Sequence, residues 1–248
     1  MVKKALPNRD GWIDYHIAHS CLISGLPARA FQMMDELLRS EALTISATLE
    51  LACRRLLAEA LAALGQVSKA HERLTSALAD ALLADASKTT RAQALAQLAV
   101  MDLDLGRFAE AKRTGELLLA DSAKSGDQRG AAVALSLLGG AEAKQEQVAT
   151  AMGHFKLAAQ LFTQCQDKRG FVWASVQLAD CHVRLKDDEA AAPCLLDAVH
   201  TAADIGECSA DYLSLLERIE RTTASPSIRS SIEYERSRIS DALIPNLV

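Results

Sequence analysis

Small and branched apolar residues recur along this chain with a period of 40 or 41 residues. Five alanines mark the period, each opening the second half of its segment: Ala30, Ala70, Ala111, Ala151 and Ala191. Twelve residues before each alanine stands a second small residue, preceded by a branched apolar residue, as in Leu57-Ala58 and Leu138-Gly139. Units with this fixed register cannot bury their apolar faces alone, so they must stack. The pattern predicts an all-α array of repeats.

Each repeat is predicted to consist of a first helix (helix A), a turn and a second helix (helix B). In the third repeat, residues 92–104 show helical spacing of apolar residues, and Gly106 follows at the turn. Because glycine adopts a left-handed backbone without strain, Gly106 is the expected end of this helix A. The equivalent positions hold Gly25 and Gly65 in the first two repeats, and Glu146 and Lys186 in the last two. We expect those last two turns to close in a different way.

Two connections between repeats are nearly identical. Residues 127–130 read Asp-Gln-Arg-Gly, and residues 167–170 read Asp-Lys-Arg-Gly. An aspartate at a helix start accepts backbone N–H bonds, so Asp127 and Asp167 are predicted to be N-caps, worth about 1 kcal/mol each. A phosphate-binding loop is not indicated, because no glycine-rich loop follows a strand.

The repeat register fades after Gly206. Residues 209–222 and 227–243 are each predicted to form a helix, with Ser225 or Ser227 as a cap in the breaker between them. We therefore expect an N-terminal extension at residues 1–11, an array of helical repeats at residues 12–206 and C-terminal capping helices at residues 207–248. The polar last helix is interpreted as a solvated cap, with a partner-contacting tail as the alternative.

Composition and charge narrow the function classes. Half of the residues are apolar and only 4% are aromatic, which favours close helix packing over a strand-rich fold. The net charge of −5 offers no basic stripe, so nucleic acid is not an expected partner. No run of about 18 apolar residues occurs, so we expect no membrane span and predict a soluble cytoplasmic protein. The six cysteines lack metal-ligand spacing and are expected to be reduced and packed.

The order of Leu-Ala or Leu-Gly in helix A, followed by alanine and a large residue in helix B, resembles the tetratricopeptide repeat (TPR). The residues that match this pattern most fully are Leu138, Gly139, Ala151, Phe155 and Ala158, within a resemblance that covers residues 12–203. The period exceeds the usual length of about 34 residues, as in the long-repeat class of spindle-orientation adaptors, Rap-type proteins and MalT-type regulators. The resemblance implies a right-handed α-solenoid of five helix-turn-helix repeats plus the capping helices.

The resemblance also implies a concave groove lined by helix A residues that are not used in packing. Carried onto this chain, the groove positions are Trp12, Tyr15, His19 and Leu22, then Arg55 and Glu59, then Gln93, Val100 and Asp104, then Val133, Ser136 and Lys144, and finally Trp173, Val176, Asp180 and Arg184. Aromatic residues and arginine are frequent interface anchors. The chain has only two tryptophans, and both fall at equivalent groove positions. The alternative is that both pack against neighbouring helices.

No catalytic or metal-binding constellation emerges from the sequence. His16 and His19 are three residues apart, but no third ligand has a predictable place nearby. Cys181 and His182 are adjacent in a helix and cannot face each other as a nucleophile and its base. The acidic run at residues 187–189 is more simply a helix start than a divalent-ion site. We expect no enzyme activity, no metal and no cofactor.

The expected function is therefore a non-enzymatic scaffold or adaptor that binds a protein or peptide segment in its groove. Membership of a larger complex is a variant of this role. The resemblance does not extend to TPR co-chaperones, because Tyr15, His19 and Glu59 do not supply their lysine, arginine and asparagine clamp. The alternative function is a ligand- or peptide-sensing regulatory module of the Rap or MalT type, whose superhelical shape changes on binding.

Overall fold

The computed structural model describes residues 11–40, 46–83, 86–206 and 210–243. The predicted N-terminal extension lies outside these residues apart from Gly11, and so does Cys208. The described residues form helices and turns, with no strand among them, which confirms the all-α prediction. The chain divides into two compact units, Met1–Thr114 and Gly115–Val248.

The A and B helices of the first unit alternate along the chain. The described helices of this unit are α1 (Gly11–Ile23), α2 (Pro27–Leu38), α3 (Ala47–Ala63), α4 (Val67–Leu83), α5 (Lys88–Asp104) and the beginning of α6 (Phe108–Ser125). Helices α1, α3 and α5 are A helices, and α2, α4 and α6 are B helices. From α1 to α5 each helix packs on the next, and α3 also contacts both α1 and α5. The A helices of the first unit thus form one layer.

The second unit continues this alternation and ends in two further helices. Its described helices are the remainder of α6, then α7 (Gln128–Lys144), α8 (Val148–Gln164), α9 (Lys168–Arg184), α10 (Asp188–Asp204), α11 (Ala210–Thr222) and α12 (Pro226–Leu243). The A helices α7 and α9 contact each other, and α9 also contacts α11. Helix α12 packs on the B helix α10 and on α11.

The five anchor alanines are completely buried, as their spacing predicts: Ala30, Ala70, Ala111, Ala151 and Ala191 are each 0% exposed. The branched apolar residue that precedes the small residue of helix A is not buried in every repeat. Leu57 and Leu138 are buried, whereas Ile17 is 43% exposed. Helix α1 contacts only α2 and α3 among the described helices, so the side of α1 that carries Ile17 is not covered. Burial at this position therefore depends on a neighbouring repeat.

The turn between helix A and helix B has the same left-handed residue in every repeat. The φ angle is +75° to +77° at the three predicted glycines, Gly25, Gly65 and Gly106. Glu146 and Lys186 adopt the same conformation, each with a φ of 62°, so the expectation that these turns close differently is wrong. The next N–H in each turn bonds back to the helix, as in the 3.0 Å bond from Asp187 N to His182 O. Because this bond satisfies a helix-end carbonyl, it offsets the strain of a side chain there.

Replacing Lys186 with glycine is expected to raise the free energy of unfolding by about 0.5–1 kcal/mol. Removing the Cβ relieves the strain of the left-handed backbone, which is about 1–2 kcal/mol. The greater freedom of glycine in the unfolded chain offsets about 0.5–1 kcal/mol of this gain. Urea denaturation followed by circular dichroism measures the change. The matched control is Lys186→Ala, which removes the long side chain but keeps the Cβ. Equal stabilisation by both variants would contradict a backbone origin.

The aspartates in the two connections are N-caps, as predicted. The Asp127 side chain accepts a hydrogen bond from Gly130 N at 2.9 Å, and that of Asp167 accepts one from Gly170 N at 3.0 Å. Asp187 caps α10 in the same way, through a 3.3 Å bond from Ala190 N. The acidic run at residues 187–189 is therefore a helix start.

The two last helices begin and end close to their predicted positions. Ser225 is the cap of α12, because its carbonyl oxygen accepts from Arg229 N at 3.2 Å and its hydroxyl from Ile228 N at 3.5 Å. Ile232 of α12 is completely buried. An ion pair of 2.7 Å joins Arg238 to Asp204 at the end of α10. The polar helix is thus docked through one apolar stripe and its charged flank.

Candidate functional site

A row of aromatic rings lies on α1 in the first unit. Trp12, Tyr15 and His19 follow one another at intervals of three and four residues, which places them on one face of the helix. The rings of Trp12 and Tyr15 meet edge to face, with their centroids 5.5 Å apart. Tyr15 stacks on His19 at 6.2 Å. Trp12 is 36% exposed and His19 is half-buried, whereas Tyr15 is buried. This row is therefore solvent-accessible mainly through its indole.

Arg55 of α3 joins the aromatic row to the next repeat. Its Nη2 donates to the Tyr15 hydroxyl at 2.8 Å, and its Nη1 donates to Glu59 Oε2 at 3.2 Å. Tyr15 and Arg55 occupy equivalent positions of successive A helices, 40 residues apart. Only 13% of the Arg55 side chain is exposed, so it links α1 and α3 from a largely buried position. Glu59 is about one-third exposed and balances its charge.

The expected residues of the third repeat lie at the surface of α5. Gln93 and Asp104 are exposed, and Val100 is 42% exposed. Together with Trp12, His19 and Glu59 they are the accessible expected residues of the first unit. We call this set the first-unit surface. Leu22 is half-buried and packs against the apolar core of this unit.

The second tryptophan lies on α9 in the second unit. Trp173 is 46% exposed, and its ring meets Phe155 edge to face with the centroids 5.8 Å apart. Phe155 of α8 is completely buried, so one edge of the indole is anchored in the core and the rest faces solvent. Val176 and Asp180 follow on the same helix and are half-buried. The Trp173 side chain is therefore partly packed against a neighbouring helix and partly accessible to solvent, so each of the two predicted alternatives applies to it in part.

Two cations accompany Trp173 on the A helices of the second unit. Lys144 is exposed at the end of α7. Arg184, at the end of α9, donates to the Ala143 carbonyl at 3.0 Å and to Glu146 Oε2 at 2.7 Å. We call Lys144, Trp173, Val176, Asp180 and Arg184 the second-unit surface. Arg184 is 27% exposed and Glu146 is 82% exposed, so their ion pair lies at the protein–water boundary.

Ser136 is a correction to the predicted groove. It is buried, and its hydroxyl donates to the Ala132 carbonyl one turn earlier at 2.9 Å. Its position on α7 faces the core because both Leu135 and Leu137 beside it are also buried. Val133 is half-buried in an apolar cluster. In the fourth repeat the expected groove is thus represented only by Lys144.

Sequence reasoning missed a set of buried carboxylates paired with histidine. Asp102 of α5 is 3% exposed and lies 2.8 Å from His71 Nε2. Burial raises the pKa of Asp102, and His71 and Arg107 oppose this shift. Glu142 stands at the equivalent position of α7 and lies 2.7 Å from His154 Nδ1. The sequence signal for these pairs was an acidic residue that recurs after 40 positions. In the structure, each of these carboxylates forms a buried polar contact with a histidine of a neighbouring helix.

Two of the described cysteines, Cys53 and Cys181, lie buried in the apolar cores. Burial raises the pKa of Cys53 to about 12 and that of Cys181 to about 11, which keeps both thiols protonated at neutral pH. His182 faces Asp187 at 3.3 Å. Within the described ranges, no group of three His, Cys, Asp or Glu side chains is placed to hold a metal ion. None of the described helices combines the length and apolar character needed to cross a bilayer.

The sequence matches no protein-family profile, and no curated protein is significantly similar to it. Solved structures, in contrast, are similar. A Rap protein complexed with Competence and Sporulation Factor has a TM-score of 0.70 at 14% identity, covering 95% of this chain and 76% of that one. BtubC (BKLC) from P. vanneervenii has a TM-score of 0.61 at 15% identity, covering 95% and 90%.

Kinesin light chain TPR-like repeats from Podosopora anserina are also similar, with a TM-score of 0.60 at 18% identity. This match covers 79% of the present chain and 96% of the other. At such identities the likeness concerns the fold. The chain has the fold of the TPR-like helical-repeat proteins.

Proposed function

We propose that this chain is a non-enzymatic scaffold or adaptor that binds a protein or peptide segment on the exposed faces of its A helices. The observation that carries the proposal is the exposure of the two tryptophans, 36% for Trp12 and 46% for Trp173. Large aromatic side chains at a surface are frequent anchors of protein interfaces. Their equivalent positions in the first and fifth repeats make a shared role in recognition the simplest explanation.

The first-unit surface is suited to binding because hydrogen bonds hold Tyr15 and Arg55, the largely buried side chains that adjoin it. The hydrogen bonds of Arg55 to Tyr15 and Glu59 fix the layer beneath Trp12 and His19. A partner that docks there would pay little for ordering these groups, which favours affinity. Gln93, Val100 and Asp104 extend the surface with amide, apolar and acidic groups.

The second-unit surface combines an aromatic side chain with an arginine whose present ion-pair partner is exposed and can be replaced. Trp173 provides the exposed apolar area, whereas Val176 is half-buried against the apolar core. Lys144 and Arg184 provide cations beside Asp180. Because Glu146 is 82% exposed, a carboxylate of a partner can replace it at Arg184 with little loss of structure. A polypeptide with apolar and acidic side chains is the partner this surface suits best.

A ligand-sensing regulatory module is the second candidate. It is favoured by the similarity to a Rap protein solved with Competence and Sporulation Factor, which extends over 95% of this chain. A scaffold with preformed surfaces keeps its radius of gyration when a small metabolite or short peptide is added, whereas a sensor changes it. Small-angle scattering of the free and bound protein therefore separates the two candidates.

The proposal is tested by affinity capture with Trp173→Ala. The wild-type chain is expected to retain a specific partner, identified by mass spectrometry, and Trp173→Ala is expected to weaken its binding by about 1–2 kcal/mol. The matched control is Leu185→Ala, which removes a side chain that is 50% exposed at the end of the same helix but outside the surface. Its binding is expected to remain unchanged.

Two outcomes would contradict the proposal. One is a partner that binds Trp173→Ala and the wild type equally in calorimetry. The other is a Trp12→Ala, Trp173→Ala double variant that stays folded by circular dichroism and retains the same proteins as the wild type.

A further inference from the structure

A cleft with a volume of about 620 Å³ opens in the second unit, where the connection from α8 to α9 meets the last turns of α10. Its walls are Phe162 and Thr163 of α8, Phe171 of α9 and Thr201 of α10, with Gln166 and Asp167 in the connection and Lys168 at the start of α9. This volume falls within the range of about 300–1,000 Å³ that small-molecule sites occupy. The cleft shares no residue with the second-unit surface.

The aromatic walls of the cleft depart from the repeat pattern. Residues at the position of Phe162 in the other four repeats are Glu41, Ala81, Ser122 and Ala202, and those at the position of Phe171 are Asp10, Glu50, Arg91 and Ala131. Stacking of the repeats therefore does not require an aromatic ring at either position. The two rings come together at this one connection, where Phe162 is buried and Phe171 is half-buried.

Backbone packing holds the Phe162 ring in place. Gly170 lies directly against it, since a Cβ added to Gly170 would be 2.3 Å from Phe162 Cδ1. The backbone of the first turn of α9 thus supports one side of the ring. The aromatic wall is rigid before any ligand arrives, which lowers the entropic cost of binding.

The polar groups of the cleft are suited to an anionic head group. Thr163 Oγ1 donates to the Ala159 carbonyl at 2.9 Å, and Thr201 Oγ1 donates to the Asp197 carbonyl at 2.8 Å. Their hydroxyl hydrogens are therefore used within their own helices. The cleft then offers two exposed side chains as donors, the amide of Gln166 and the ammonium group of Lys168, and of these Lys168 carries the positive charge.

The carboxylate of Asp167 does not reverse this preference, because it is neutralised within the protein. It accepts from Gly170 N at 3.0 Å and from Arg129 Nε at 2.6 Å. Burial alone would raise the pKa of Asp167, but these two bonds hold it below its ordinary value. With Arg129 balancing Asp167, Lys168 leaves the mouth of the cleft positive.

We propose that this cleft binds a small molecule with an apolar ring and a carboxylate head group. The ring packs against Phe171 and the exposed edge of Phe162, and the carboxylate faces Lys168. Such a ligand would bridge α8, α9 and α10 and stabilise the junction of the fourth and fifth repeats. This binding site is independent of the partner surfaces on the A helices.

The proposal is tested by calorimetric titration of the full chain with three probes that share one phenyl ring. The probes are hydrocinnamate, hydrocinnamamide and phenylpropylamine, which carry a negative, a neutral and a positive head group. Hydrocinnamate is expected to bind about two- to fivefold more tightly than the amide, the factor typical of an exposed ion pair. The amine is expected to bind most weakly.

Three variants test whether the probes bind in this cleft. Thr201→Trp fills the cleft and is expected to abolish binding of all three probes, with its fold checked by circular dichroism. Lys168→Gln is expected to remove the preference for hydrocinnamate over its amide while leaving the affinity for the amide unchanged. Lys156→Gln, which removes an exposed charge of α8 outside the cleft, is the control and should leave every affinity unchanged.

Three results would overturn the proposal: no saturable binding of any probe, tightest binding of the amine, or an affinity for hydrocinnamate that neither Thr201→Trp nor Lys168→Gln changes. Because neither Thr201 nor Lys168 belongs to the first-unit or second-unit surface, none of these results bears on the capture of a polypeptide partner.

Discussion

Phe155→Ala is expected to lower the free energy of unfolding by about 3–5 kcal/mol, the usual cost of removing a fully buried aromatic ring. Phe155 is 0% exposed and lies between α7 and α9. On one side its ring covers Gly139, where an added Cβ would be 2.9 Å from Phe155 Cε1. On the other side it meets the Trp173 ring at 5.8 Å. Backbone on one side and a large side chain on the other leave little room for the cavity to collapse.

Urea denaturation followed by circular dichroism measures this loss. The matched control is Leu157→Ala on the same helix, where the side chain is 50% exposed and the change is expected to stay within about 0.5 kcal/mol. A loss below about 1 kcal/mol for Phe155→Ala would show that the ring is not the centre of this helix junction.

Gly170→Ala and Gly153→Ala are expected to have opposite effects on stability. An added Cβ at Gly170 would be 2.3–2.7 Å from three atoms of the Phe162 ring, so the ring or the helix must move. Such overpacking costs about 1–3 kcal/mol. At Gly153, inside α8, an added Cβ meets no atom within 4 Å. There alanine should stabilise the helix by about 0.5–1 kcal/mol, since glycine is a poor helix former.

The pair of variants separates packing from helix propensity, because both replace a helical glycine with alanine. Thermal and urea unfolding of the two proteins measure the difference. Equal stabilisation by both changes would mean that Phe162 moves freely away from Gly170, and the rigid wall assigned to the cleft would then be wrong.

Glycine stands at the small position of the fourth repeat because the ring of Phe155 leaves no room for a Cβ there, as the 2.9 Å distance at Gly139 shows. Gly115 is a second close contact of the second unit, since a Cβ added to it would be 3.0–3.1 Å from Leu138. Small and large residues therefore compensate each other in volume, as dense interiors require.

The repeats, the buried alanines and the N-caps were predictable from the sequence because each follows from local spacing. A period of 40 or 41 residues with small residues at fixed offsets leaves stacked helix pairs as the solution. An aspartate three residues before a glycine at a helix start can bond that glycine's N–H whatever surrounds it, as Asp127 and Asp167 do. The turns at Glu146 and Lys186 were mispredicted because local preference favours glycine there, while the hydrogen bonds of the helix end decide the conformation.

The accessibility of the expected site residues was decided by packing between repeats. Ser136 was expected to face a groove, but it is buried because α8 and α9 pack against α7. Arg55 is largely withdrawn from solvent because Tyr15, a residue of the preceding repeat, accepts its hydrogen bond.

The sequence by itself determined an all-helical array, its period and the helix starts, since these depend on residues close together in the chain. Only the tertiary structure decided which helix A side chains reach solvent, and that Phe162 and Phe171 form a cleft with Lys168. Exposure and cavities depend on which side chains of different helices meet. No spacing within one helix specifies that meeting, because the residues that meet lie on different helices, Phe162 on α8, Phe171 on α9 and Thr201 on α10.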